Sequence, residues 1–246
     1  MRCCSVIAVI FTASIAFAQD AEQEALVKRI TERIGSVRRK DDLEVGPIVS
    51  VSMGPQSTDE DIASLKIFDQ LERISIGSTR ISGTGFGSLR NSKKLHTLSV
   101  DKHSMTVAGA EAIGSLHQLE KLVLQHSVMR DKIMRPILKL KNLRQLDISG
   151  NPFLSDDSLQ DLAQLTKLQR LNLSNCGPTE ATFLQLSTLE KLEWIDVSRT
   201  PIRDDGLLTL ASLSSIRSII AHSTETSSLG LSKAIGRLPK GARITR

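Results

Sequence analysis

Leu168 to Cys176 reads LQRLNLSNC, and the reading of this stretch decides the reading of the chain. Leu168, Leu171 and Leu173 occupy its first, fourth and sixth places. That spacing suits an extended segment that turns leucines to a core and the residues between them outward. The ninth place, Cys176, is where the chain is expected to turn. The pattern returns as IVSVSMGPQ from Ile48, LERISIGST from Leu71, LHTLSVDKH from Leu95, LEKLVLQHS from Leu119, LRQLDISGN from Leu143, LEWIDVSRT from Leu192 and IRSIIAHST from Ile216. Successive starts lie 23 to 25 residues apart. A period of this kind marks an array of stacked units, none of which buries its apolar face alone.

Between these segments the sequence predicts short amphipathic helices. Ser155-Asp156-Asp157 precedes Leu159, Leu162 and Leu165; Asp204-Asp205 precedes Leu207, Leu208 and Leu210; Thr58 to Asp61 precedes Ile62 and Leu65. Hydroxyls and carboxylates at such places accept hydrogen bonds from the free amides of a helix start and complement its dipole. Ninth places other than Asn151 and Cys176 hold Gln56, Thr79, His103, Ser127, Thr200 and Thr224, all able to bond turn backbone. Ile81 to Gly87 holds three glycines and is expected to make a looser convex stretch.

A strand and a short helix recurring through residues 45–246 resemble the leucine-rich repeat family, in its ribonuclease-inhibitor-like and cysteine-containing subtypes. The resemblance implies an α/β solenoid, or horseshoe, of about eight repeats of about 24 residues, with a parallel concave sheet and short convex helices. The chain is also similar to secreted leucine-rich repeat proteins of environmental bacteria, which implies export and an interaction role.

The first 18 residues, MRCCSVIAVIFTASIAFA, have a basic start, an apolar run and a small-x-small end, the form of a secretory signal cleaved before Gln19. The run from Val6 to Phe17 is too short for a bilayer, which takes about 20 residues. The expectation is a secreted or periplasmic monomer with no stable membrane span after cleavage, and a leader retained as an anchor is the alternative. Cys176 would then be its only cysteine, structural in role, and no disulfide framework is possible. Residues 19–44 are expected to form a helical cap, since Leu26, Ile30, Ile34 and Val37 fall at helical spacing in residues 20–40. The Arg38-Arg39-Lys40 run reads as its solvated end.

Net charge is +5 and interspersed, aromatics are 3 % and Tyr is absent, which leaves few platforms for stacking nucleic-acid bases; no nucleic-acid partner is expected. Strand spacing would place His126 and His222 about 19 Å apart, too far to share a metal. Asp147 with Ser149 or Ser174 lacks a histidine base, and no phosphate-binding loop is present. The expectations are therefore no metal, no cofactor and no enzyme. Asn172-Leu173-Ser174 matches a glycosylation sequon, but Leu173 belongs to the core.

Strand alternation turns the third, fifth and seventh places to the concave side. In the N-terminal half these are small and hydroxyl-rich: Ser50, Ser52, Ser75, Thr97 and Ser99. The C-terminal half gathers Lys121, Asp147, Arg170, Asn172, Trp194, Asp196 and Ile220, and the chain's only Trp lies among them. Trp and Arg dominate binding hot spots, so these seven residues are the expected ligand-binding patch, with a protein as ligand. A carbohydrate or envelope polymer is the alternative ligand class. On the convex side Lys132, Arg135, Lys139 and Lys141 read either as a solvated face or as a surface for an acidic partner.

Overall fold

The computed structural model describes residues 20–32, 35–43, 46–77, 81–102 and 104–246. The expected leader at residues 1–18, Ile34, Thr79 and His103 lie outside the described residues. Among those described, one ten-stranded sheet runs in chain order: β1 (Ser36–Arg39), β2 (Ile48–Met53), β3 (Arg73–Gly77), β4 (Thr97–Asp101), β5 (Lys121–Gln125), β6 (Gln145–Asp147), β7 (Arg170–Asn172), β8 (Trp194–Asp196), β9 (Ser218–Ile220) and β10 (Arg243–Thr245). β2 to β10 are parallel, and the register joins equivalent places of successive repeats, as in Arg170 to Trp194 to Ser218. A parallel pair needs a crossover, and each crossover here packs against the preceding one as a second layer. Its helices are α2 (Asp59–Ser64), α3 (Val107–Gly114), α4 (Asp131–Ile137), α5 (Asp156–Leu159), α6 (Glu180–Gln185), α7 (Asp204–Ala211) and α8 (Ser228–Arg237), with a 3₁₀ helix at Thr84–Leu89.

The core lies between the layers. First-, fourth- and sixth-place residues such as Leu95, Leu98, Leu119, Leu122, Leu168, Leu171 and Leu173 are fully buried, as are Ile62, Phe86, Leu159, Phe183 and Leu207 from the convex side. Each such side chain contributes roughly 1.5–3 kcal/mol by leaving water.

The expected N-terminal helix is shorter than its apolar spacing suggests. Residues 20–32 are helical (α1), with Leu26 and Ile30 buried, but Ser36–Arg39 is β1, paired antiparallel to β2 with Val37 opposite Val51. Gly35 ends the helical run: its N–H donates to the Ile30 carbonyl, and an added Cβ would stand 2.7 Å from the Ser52 carbonyl oxygen. The exposed edge of β2 then gains a partner, a stronger demand than continuing the helix. Arg39 folds onto Glu24 and the Gly46 carbonyl rather than standing free.

The turns after β4 to β9 also differ from expectation. The eighth place, not the ninth, takes the left-handed conformation: Lys102, His126, Gly150, Asn175, Arg199 and Ser223 have φ between 49° and 74°. This aims the ninth side chain inward. Asn151 is fully buried; its amide donates to the Leu124 and Ile148 carbonyls, and its oxygen accepts from the Ser127 and Met129 N–H groups. Cys176 donates its thiol to the Ile148 carbonyl at 3.1 Å, and burial pushes the thiol pKa up to about 12, so it is inert and structural.

The helix-start carboxylates reach farther than their own helices. Asp59 accepts from the N–H groups of Ser82, Gly83 and Gly85 in the next repeat, Asp131 from Ser155 and Ser158, Asp156 from Thr179 and Thr182, Glu180 from the Arg203 and Gly206 N–H groups, and Asp204 from Ser227. Burial raises the affinity of Asp59, Asp131 and Asp156 for a proton, but the accepted hydrogen bonds outweigh it and hold all three below the ordinary value. Hydrogen bonds from Ser227 do the same for Asp204. The glycine-rich stretch at residues 81–87, expected to be looser, is part of this clasp: Phe86 is fully buried, and an added Cβ at Gly85 would meet the Asp59 carbonyl oxygen at 2.1 Å.

Candidate functional site

On the concave face, β5 to β8 carry Lys121, Gln145, Asp147, Arg170, Asn172 and Trp194 around a depression of about 180 Å³. Five of the seven residues singled out from the sequence line it. Asp196 lies one register step from Asn172 and opens instead onto a neighbouring depression of about 430 Å³, and Ile220, opposite Asp196 on β9, lines neither. Gln145, not singled out, completes the first depression; its place opposite Lys121 and Arg170 in the ladder was available from the period.

Trp194 is half-buried, and the Arg170 guanidinium lies over its ring at 4.9 Å. The register brings them side by side, and the guanidinium holds the indole in one orientation while covering part of it. The polar members are less free than their types suggest. Asp147 accepts from Gln125 at 2.8 Å, Asn172 at 3.1 Å, and the Ser149 N–H and hydroxyl at 3.0 and 2.7 Å. Asn172 and Asp196 in turn accept the N–H groups of Ser174 and Ser198, at 3.0 and 2.8 Å. Fifth-place Asp and Asn thus close a side-chain turn two residues on, a job their short side chains do in many loops. Lys121, Gln145, Arg170 and Trp194 take no part in these side-chain turns.

The second depression is lined by His126, Ser149, Gly150, Ser174, Asn175, Asp196, Ser198, Arg199, His222 and Ser223. Its left-handed eighth-place residues were not recognisable in the sequence, because His, Gly, Asn, Arg and Ser share no composition signal. Among the described residues no His, Cys, Asp and Glu cluster could hold a metal ion.

Residues 139–163, which span β6 and its flanks, match the family profile described as leucine-rich repeat. A leucine-rich repeat protein of Leptospira interrogans superposes with a TM-score of 0.52 at 17 % identity, over 74 % of this chain and 46 % of that one. The chain carries the leucine-rich repeat fold. The leucine-rich repeat architecture is shared with the Arabidopsis receptor kinase HAESA, solved in complex with the peptide hormone IDA and the co-receptor SERK1, at a TM-score of 0.52 and 15 % identity over 71 % of this chain and 33 % of that one. A Trypanosoma equiperdum protein named for adenylate cyclase regulation is 33 % identical over 124 residues, half of this chain and 18 % of the relative. The chain therefore spans less than half the length of these proteins. Among the described residues no helix of this repeat array is long and apolar enough to cross a membrane.

Proposed function

We propose that the protein is a non-catalytic interaction module that holds a protein partner on the concave face of β5 to β8. The observation that carries this is Trp194: the only Trp in the chain stands on the sheet surface outside the core, half-buried under Arg170, beside a depression rimmed by Lys121 and Gln145. A rigid aromatic anchor next to an Arg, flanked by saturated polar groups, has the composition of a binding hot spot. Repeat arrays offer extended curved surfaces for such partners, and leucine-rich repeat proteins commonly bind other proteins. Asp147, the carboxylate of this depression, is saturated by Gln125, Asn172 and Ser149, and no histidine stands among the residues lining it, which supports a non-catalytic reading of this site. On this reading residues 1–18 direct export, residues 19–44 close the N-terminal end of the core, and the partner is met at the cell envelope or outside it.

The test is a crosslinking pull-down from the source cell's envelope and medium. Parent protein is compared with a Trp194→Ala/Arg170→Ala variant whose fold is checked by circular dichroism. A partner captured by the parent and lost by the folded variant is the expected result. Equal capture by both sinks the concave-face reading, and glycan binding insensitive to the substitutions would move the ligand class to carbohydrate.

A further inference from the structure

A second surface lies away from the concave face, where the loops leading into α3 and α4 meet. Ser104, Met105 and Val107 from one loop and Ser127, Val128, Met129, Arg130, Lys132 and Ile133 from the next enclose a groove of about 450 Å³. Val128 is 61 % exposed, Val107 42 % and the nearby Phe153 51 %, while Met129 and Ile133 form a buried floor. The Arg130 guanidinium lies over Phe153 at 5.0 Å, which ties the third loop of the series to the groove.

Three local features coincide at this place. First, Val128 has φ 51°, a left-handed conformation that a β-branched residue adopts only under strain. Second, α4 has Arg130 at its N-cap and Lys132 in its first turn, where the helix dipole disfavours cations, and Asp131 between them turns its carboxylate to Ser155 and Ser158. Arg203, the comparable N-cap of α7, is neutralised by Glu225 at 3.0 Å, whereas the charged side chains lining this groove are both basic. Third, the first residue of the helix is Asp59, Asp131, Asp156, Glu180 or Asp204 in α2, α4, α5, α6 and α7, but Val107 in α3. At the joints ahead of those five helices the carboxylate clasps the next loop, whereas ahead of α3 an exposed aliphatic side chain stands in its place. Strain, uncompensated charge and exposed apolar surface coincide at functional sites more than by accident of folding.

We propose that this groove docks a short acidic–apolar polypeptide segment of a partner protein, with Leu-, Ile- or Phe-type side chains seated over Val107, Val128 and Met129 and its carboxylates paired with Arg130 and Lys132. Charge complementarity selects the acidic partner, since the rim carries positive charge only. The concave shape and small volume favour a peptide over a lipid surface, which takes protruding apolar side chains that insert into it. The site is separate from the concave face around Trp194.

Panning a displayed library of random short peptides against the full chain tests this directly. Enriched peptides should combine Asp or Glu with Leu, Ile or Phe, and Val128→Asp and Lys132→Glu should each weaken their Kd about tenfold or more. The Trp194→Ala/Arg170→Ala variant should bind them as the parent does, which separates failure here from failure of the concave-face reading. Val128→Gly is the decisive control, because glycine relieves the left-handed strain while removing the apolar contact: Tm should hold or rise while peptide affinity falls severalfold. A lowered Tm for Val128→Gly, enrichment without acidic–apolar character, or binding unchanged by Val128→Asp and Lys132→Glu would each overturn the proposal. Groove-dependent binding to phosphatidylserine vesicles in place of peptides would overturn it in favour of a membrane.

Discussion

The N-terminal repeats, around β2 to β5, and the C-terminal repeats, around β6 to β9, share one period but are held together differently. β2 to β5 are five or six residues long, and β6 to β9 are three. For β6 to β8 the difference originates at the fifth place. Ser52, Ser75, Ser99 and Val123 let the ladder run on, whereas Asp147, Asn172 and Asp196 each take the N–H two residues later and bend the chain out of it. On the convex side the order reverses. Carboxylate clasps run unbroken from Asp131 through Asp156 and Glu180 to Asp204, but in the N-terminal half Asp59 is followed by Ser82 and Val107 at the equivalent places. One half leans on its sheet and the other on its loops, and the groove at Val128 lies at the joint between them.

Substitutions can break this contrast or sharpen it. Asn151→Ala, at the border of the halves, should have the largest effect, about 3–4 kcal/mol in urea unfolding, because it strands two buried carbonyls and two buried N–H groups. A loss under about 1 kcal/mol would mean that water replaces the amide and that the border is not a seam. Gly85→Ala follows at about 2–3 kcal/mol, since its Cβ must displace the Asp59 backbone and open the clasp that Asp59 makes. Gly236→Ala on α8, with open space around it, should instead stabilise slightly.

Asp156→Ala should cost about 1–2 kcal/mol by releasing Thr179 and Thr182. Hydrogen exchange should then show faster opening across α5 and α6 and little change in β2 to β4; a uniform response would contradict the division. Acid provides the same test without mutation. The folded-state values of Asp59, Asp131, Asp156 and Asp204 are lowered, so their stabilisation is complete above the unfolded value near 4 and is lost as pH falls through the folded values. Three of these four carboxylates hold loops of the C-terminal half, at Ser155, Thr179 and Ser227, so pepsin should cut there first as pH falls below about 4. The smallest effect is expected from Asp196→Ala, about 0.5 kcal/mol, read as altered amide protection at Ser198 with β8 free to lengthen.

Much of this was legible because leucine spacing is a local property. The period placed β2 to β9 of the parallel sheet, and alternation assigned Lys121, Arg170 and Trp194 to one face. The same local logic failed where a competing partner was remote. Val37 fell at helical spacing behind Ile30, yet it belongs to a strand because β2 had an edge to fill. Asp156 and Asp204 looked like caps of their own helices, and their oxygens are occupied 23 residues ahead. Asp147 looked available to a ligand and is saturated by Gln125, Asn172 and Ser149.

By itself the sequence determined the repeat, its strand register and the composition of each face, since these follow from which side chains avoid water at a fixed spacing. Only the tertiary structure decided which polar groups were already satisfied, that the eighth place turns left-handed, and that Val107, Val128 and Arg130 share a groove. Hydrogen-bond partners, backbone handedness and the joints between loops depend on what the neighbouring repeat presents, and no single repeat carries that information.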